Sequence, residues 1–159
     1  YPRGEGVMPD WKKPFTELEI GKGRMISDGE EVCILSIGHP GNFVVNACRD
    51  LLTDGIQPAH YDMRFVKPLD EELLHSVFVR FKKIITVEDG VRMGGFGSAV
   101  LEFMSDHHYT AEVRRLGIPD KFIEHGSPAQ QYEYCGFSAN NIADAVREMM
   151  KEKVQVSLG

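Results

Sequence analysis

Ile84-Ile85-Thr86-Val87-Glu88-Asp89, then Met93-Gly94-Gly95-Phe96-Gly97-Ser98, then Val100, Leu101, Phe103 and Met104 at helical spacing, decide how this chain reads. Four consecutive β-formers make a strand, and the apolar i, i+3, i+4 spacing after the glycines makes a helix. A strand that passes through a glycine turn into a helix is half of a βαβ unit. Upstream, Val32 to Ile37 is a continuous apolar run that suits a central strand, broken by Gly38-His39-Pro40-Gly41-Asn42. Val44, Val45, Ala47, Cys48, Leu51 and Leu52 then follow a helical period, closed by Gly55. Ala59 to Phe65 reads as a further strand, and Pro68-Leu69-Asp70 opens a helix carrying Leu73, Leu74, Val77 and Phe78.

Further outward, Glu112 to Leu116 reads as a fifth strand, and about Ser138 to Glu152 as a last helix with Ile142, Ala145, Val146, Met149 and Met150 on one face. Gly21 to Ile26 reads as a short first strand, and the turn at Ser27-Asp28-Gly29 predicts that it pairs antiparallel with the second. Alternating strands and helices imply a three-layer α/β/α fold on an about five-stranded, mostly parallel sheet with one antiparallel strand. Residues 1–20, with Pro2, Gly4, Gly6, Pro9 and Pro14 near their start, read as a linker or lead-in from a preceding domain; residues 21–159 read as the domain itself. A first residue Tyr1 rather than Met fits an excised C-terminal piece.

The 159 residues carry 18 basic and 24 acidic side chains, a formal net charge of −6. That balance argues against a general electrostatic grip on nucleic acid, which needs clustered excess cation. No apolar run approaches the ~20 residues of a membrane helix, so no membrane partner is expected. Cys33, Cys48 and Cys135 form no CxxC pair, and the first two sit in apolar stretches as small buried hydrophobes. A reducing cytoplasm is the simplest compartment.

Candidate chemistry is sparse. Gly95-Phe96-Gly97 stands where a dinucleotide fingerprint begins, but Val100 occupies the place of the third glycine, so tight helix packing explains the glycines better. The turn at Gly38–Asn42 has free N–H groups, and Asn42 capping its own helix accounts for it. Of the histidines 39, 60, 75, 107, 108 and 125, none shows a zinc spacing, and Ser98 lacks a nucleophile-elbow frame. Glu88 and Asp89 end the best strand at the edge where α/β ligands lie; the plainer expectation is that both accept hydrogen bonds from the glycine turn. Arg3, Arg64, Lys67 and Arg92 stand in the lead-in or at strand ends, and an arginine there can grip a phosphate.

Several strings occur in one order: Tyr1-Pro2-Arg3-Gly4, Gly21-Lys22-Gly23, Asp62 to Asp70 (DMRFVKPLD), Thr86-Val87-Glu88-Asp89, Gly94 to Val100 and Leu116-Gly117-Ile118-Pro119-Asp120. Together they resemble the C-terminal domain of the 1-deoxy-D-xylulose-5-phosphate synthase family, thiamine-diphosphate enzymes of the transketolase superfamily. The resemblance implies a homodimeric parent that condenses pyruvate with glyceraldehyde 3-phosphate, releasing CO2, for isoprenoid, thiamine and pyridoxal phosphate synthesis. It implies thiamine diphosphate and Mg²⁺ between the two preceding domains and none bound here, since the GDG…Asn motif and the activating glutamate are absent. It also implies that Arg3 holds the acceptor's phosphate and that this piece supplies scaffold and dimer contacts but no catalytic residue. Glu88-Asp89 stands where that family often has paired glutamates, and Gly38-His39-Pro40 departs from its commoner Gly-Thr. Two other readings stand beside it: the C-terminal domain of a transketolase or 2-oxoacid dehydrogenase β subunit, and a freestanding ligand-binding or assembly module.

Overall fold

A computed structural model describes residues 16–151 together with Pro14. The elements run β1 (Arg24–Ser27), β2 (Val32–Ile37), α1 (Gly41–Thr53), β3 (Ala59–Asp62), α2 (Glu71–Arg80), β4 (Lys83–Val91), α3 (Phe96–Asp106), β5 (Glu112–Ile118), α4 (Pro128–Cys135) and α5 (Ala139–Lys151). The sheet order is β1-β3-β2-β4-β5, with β1 antiparallel to β3 and every other pair parallel. Helices cover both faces, as the alternation of periods requires.

The expected hairpin between β1 and β2 does not form. Both edges of β2 are taken, by β3 with Cys33 opposite Ala59 and by β4 with Cys33 opposite Ile84. The link after β1 instead passes the start of β3: Glu30 N–H donates to Gln57 O at 2.9 Å, and the Gln57 amide donates to Asp28 O. The chain thus delivers β1 to the outer edge of β3. Strand β3 is also shorter than its apolar pattern, because Arg64 turns the backbone into the left-handed region (φ 58°).

Two apolar layers sandwich the sheet. On one face α1 and α5 bury Val44, Ala47 and Leu51 with Ile142, Val146 and Met149 against Val32, Ile34, Ile85 and Val87. On the other, α2 and α3 bury Leu74, Phe78, Phe96 and Val100 against Cys33, Leu35 and Ile84. Arg147 locks α1 to α5 across their exposed side by pairing with Asp50 of α1, with Asp54 just past the end of that helix and with Asp144 of its own.

Helix starts follow the sequence unevenly. Asp70 caps α2 as expected, accepting from Leu73 N–H at 3.1 Å, and also accepts from Gly23 N–H at 2.9 Å, which ties the approach to β1 onto this helix. Asn42 does not cap α1; Pro40 holds that place with no side-chain bond, and Asn42 lies inside the first turn. Helix α4 was not expected. Its capping box was nonetheless written in the chain: Ser127 and Gln130 exchange bonds around Pro128, and Gly136 ends the helix at φ 80°.

Phe78 is fully buried and stacks on Phe103 and Tyr109. Phe78→Ala should cost about 3–5 kcal/mol, read as a lower urea midpoint at unchanged slope.

Candidate functional site

The carboxyl edge of the sheet gathers the turns after β2, β3 and β4, and the register sets what faces what. β4 and β5 pair evenly up to Val87–Leu116, then slip, so that Val91 meets Ile118. Glu88 lies in that irregularity. Bulges re-aim side chains, and here the Glu88 carboxylate, almost wholly buried, reaches the first turn of α3. It accepts from Phe96 N–H and Gly97 N–H, each at 2.8 Å. These two bonds satisfy donors that a helix leaves unpaired and place a negative charge at the positive end of its dipole.

The glycines follow from this closure. A Cβ on Gly95 would collide with the Glu88 carboxylate and Val91 O, and one on Gly97 with Thr86 Oγ1 and the Arg115 side chain. Ser98 closes the outside of the turn, donating to Arg92 O at 2.9 Å and accepting from Gly94 N–H and Arg115. The glycine string is a packing device. A diphosphate does not fit there, because a carboxylate already holds the N–H groups it would need.

Asp89 departs from expectation: it faces His39, whose Nδ1 lies 3.5 Å from Asp89 Oδ2. The His39 ring packs edge-on to Phe43 and against Tyr132 of α4, so the unforeseen helix shapes this corner. A cavity of about 470 Å³ opens beside it, lined in part by Ile37, His39, Val66, Glu88, Asp89 and Phe96. Arg64 is half-buried, its backbone N–H bonded to Asp62 Oδ1 at 3.2 Å; Lys67 and Arg92 are exposed. Arg3 lies outside the described residues.

The remaining candidates stay apart. Among the described residues no three His, Cys, Asp or Glu side chains converge for a metal ion. All three thiols are free; burial pushes the Cys48 thiol up to about 11 and that of Cys33 higher still, so neither is an ionised nucleophile near neutrality. Cys33 is buried as expected, whereas Cys48 is half-exposed. His60, on β3, bonds Ser36 Oγ at 2.8 Å, and burial drives its pKa down to about 4. Sequence patterning missed this pair, since only the parallel register of β2 and β3 brings it together.

These features define a mixed-sheet α/β/α domain whose glycine turn is closed by its own carboxylate. The chain belongs to the transketolase C-terminal domain family, whose model matches residues 21–142. It is 62% identical over 149 residues to the 1-deoxy-D-xylulose-5-phosphate synthase of Cytophaga hutchinsonii, covering 94% of this chain and 23% of that protein. It is 50% identical over 153 residues to the synthase of Bacteroides thetaiotaomicron, covering 96% and 23%. The chain thus spans about a quarter of the length of these relatives. Among solved structures, a split-gene transketolase described as an inactive beta4 tetramer superposes with a TM-score of 0.79 at 30% identity, over 89% of this chain and 46% of that one. A transketolase from Campylobacter jejuni shares the fold, with a TM-score of 0.59 at 17% identity over 80% and 18%.

Two measurements test this architecture. Glu88→Ala strands two buried N–H groups and should cost about 1–3 kcal/mol, with α3 amides near residue 96 exchanging faster than those of α5. His60 is buried as the neutral base, so between its ordinary value of 6.5 and about 4 only the unfolded chain takes up the proton. Stability should therefore fall with pH across that window, by on the order of 3 kcal/mol in total, and His60→Gln should flatten the slope.

Proposed function

We propose that this chain is the C-terminal domain of a 1-deoxy-D-xylulose-5-phosphate synthase, and that the reaction centre belongs to the rest of the parent polypeptide. The observation that carries the reading is 62% identity to such a synthase across nearly all of this chain, which amounts to under a quarter of that protein. Residues 1–20 are the lead-in from a preceding domain and residues 21–159 the domain. The parent joins pyruvate to glyceraldehyde 3-phosphate with loss of CO2, as a homodimer in the cytoplasm. Self-association is supported by the related split-gene transketolase chain, described as a tetramer; no helix among the described residues is long and apolar enough to cross a membrane.

Thiamine diphosphate with Mg²⁺ supplies the parent's acyl carbanion, and this chain does not fit that role. The glycine turn that starts α3 is filled by Glu88, and Glu88 with Asp89 makes that edge acidic. No step of the reaction is therefore assigned to side chains of this domain. Its contribution is scaffold and one anion contact. Arg3 of Tyr1-Pro2-Arg3-Gly4 binds the phosphate of the acceptor aldehyde: the guanidinium fork matches phosphate, and Pro2 restricts the backbone that aims it.

Purified alone, the chain should release no CO2 from pyruvate and bind no thiamine diphosphate by calorimetry; cofactor-dependent carboligation by this polypeptide overturns the reading. In the longer polypeptide that includes the preceding domains, Arg3→Ala should raise KM for glyceraldehyde 3-phosphate by about 10-fold or more while leaving that for pyruvate nearly unchanged. Equal effects on both substrates would remove Arg3 from phosphate recognition.

A further inference from the structure

On the α1 side, the helices cover only part of the sheet's width. The buried layer there draws on β2 and β4, and no residue of β1 joins either apolar layer. A cavity of about 450 Å³ opens where that cover ends, between α1 and the β1–β3 edge. Val45, Cys48 and Leu52 of α1 line it from one side, and Ile26 of β1 with Pro58 from the other. Ile26, Val45 and Leu52 are exposed, and this one cavity joins them. Its volume falls within the ~300–1,000 Å³ of small-molecule sites, which pair apolar walls with a few placed polar groups. His60 stands in the same lining and is 1% exposed. Ser36 Oγ holds its Nε2 at 2.8 Å, while its Nδ1 is buried without a hydrogen-bond partner. The two ring nitrogens point in nearly opposite directions. Ser36 lies on β2, and β1 lies on the other side of β3, so Nδ1 points toward the flank where Ile26 and Ser27 line the cavity. Arg49, also in the lining, makes one 3.4 Å bond to Asn46 Oδ1 and no ion pair among the described residues.

We infer that this cavity binds a small molecule with an apolar body, one hydroxyl and one carboxylate. A buried polar atom left unpaired costs free energy, and a ligand that bonds it recovers that cost. A hydroxyl meets the need at His60 Nδ1, because it serves as donor or acceptor whichever ring nitrogen carries the proton. The carboxylate meets Arg49, whose guanidinium fork matches it and has no carboxylate of the protein to hold. The apolar body lies against Ile26, Val45 and Leu52 and takes their surface out of water. Gln57, a further lining residue, is no competing anchor, since its side-chain amide is spent on Asp28 O. Pro58 precedes β3 and Leu52 stands near the end of α1, so the site lies toward the amino end of the sheet. It shares no residue with the cavity beside His39 and Glu88, and it stands whatever reaction the parent performs.

The probe is 4-hydroxyphenylacetate, an apolar ring with a hydroxyl at one end and a carboxylate at the other. Phenylacetate lacks the hydroxyl, and 4-methylphenol lacks the carboxylate. By calorimetry on the longer polypeptide that includes the preceding domains, 4-hydroxyphenylacetate should bind about tenfold more tightly than either. Arg49→Ala should lower its affinity to that of 4-methylphenol and leave 4-methylphenol binding unchanged. Cys48 localises the site, because its half-exposed thiol lines the cavity. Bound probe should slow alkylation of Cys48 by N-ethylmaleimide severalfold and leave Cys135 unaffected, read by mass spectrometry. Absence of saturable binding, equal affinity for the three probes, or binding that leaves Cys48 as reactive as before overturns the site. A fall at Cys48 and Cys135 alike does the same. So does a Cys48 that reacts in the 159-residue chain but not in the longer polypeptide, since a polypeptide segment then fills the cavity.

Discussion

The buried Glu88 carboxylate bound to the first N–H groups of α3 is the contact on which the carboxyl edge depends. A carboxylate out of water needs strong donors, and a helix start needs acceptors; each requirement meets the other at 2.8 Å. The geometry then propagates. β4 slips its register against β5 so that Glu88 reaches the helix, Gly95 leaves space for the carboxylate, and Gly97 lets α3 settle over Thr86. A turn that looks open to phosphate is thereby sealed from inside the protein. The same contact makes the turn unsuited to hold a diphosphate.

A second constraint acts at the opposite side of the sheet. Because β2 is flanked by β3 and β4, β1 has only the outer edge of β3 to pair with, and Asp70 anchors its approach. One acidic side chain therefore serves two elements, capping α2 and holding Gly23. The outcome is a sheet whose first strand is fastened to α2 at the same end that carries the Glu88 closure.

Local patterning made several features readable. The apolar run at 32–37, the β-formers at 84–87, the cap at Asp70 and the amphipathic stripe of α5 are short-range signals, each the direct expression of propensity or period. Helix α4 belongs with them, since Ser127-Pro128 with Gln130 and Gly136 is a complete start-and-stop pattern. The fold class followed from the alternation of these signals, and the packing role of the glycines followed from Val100 standing where a third glycine would be needed.

Tertiary structure alone decided the rest, because the partners lie far apart in the chain and no local period encodes them. The placement of β1 beside β3 depends on which strand edges remain free after the parallel core has formed. The division of labour between neighbours Glu88 and Asp89 depends on a register slip that turns one inward and the other toward His39. The Ser36–His60 bond and the Arg147 clamp join residues 24 to 97 positions apart. Sequence determined which segments become strands and helices, since that choice rests on nearby side chains; the sheet's order and register determined which side chains meet, since that choice rests on long-range pairing.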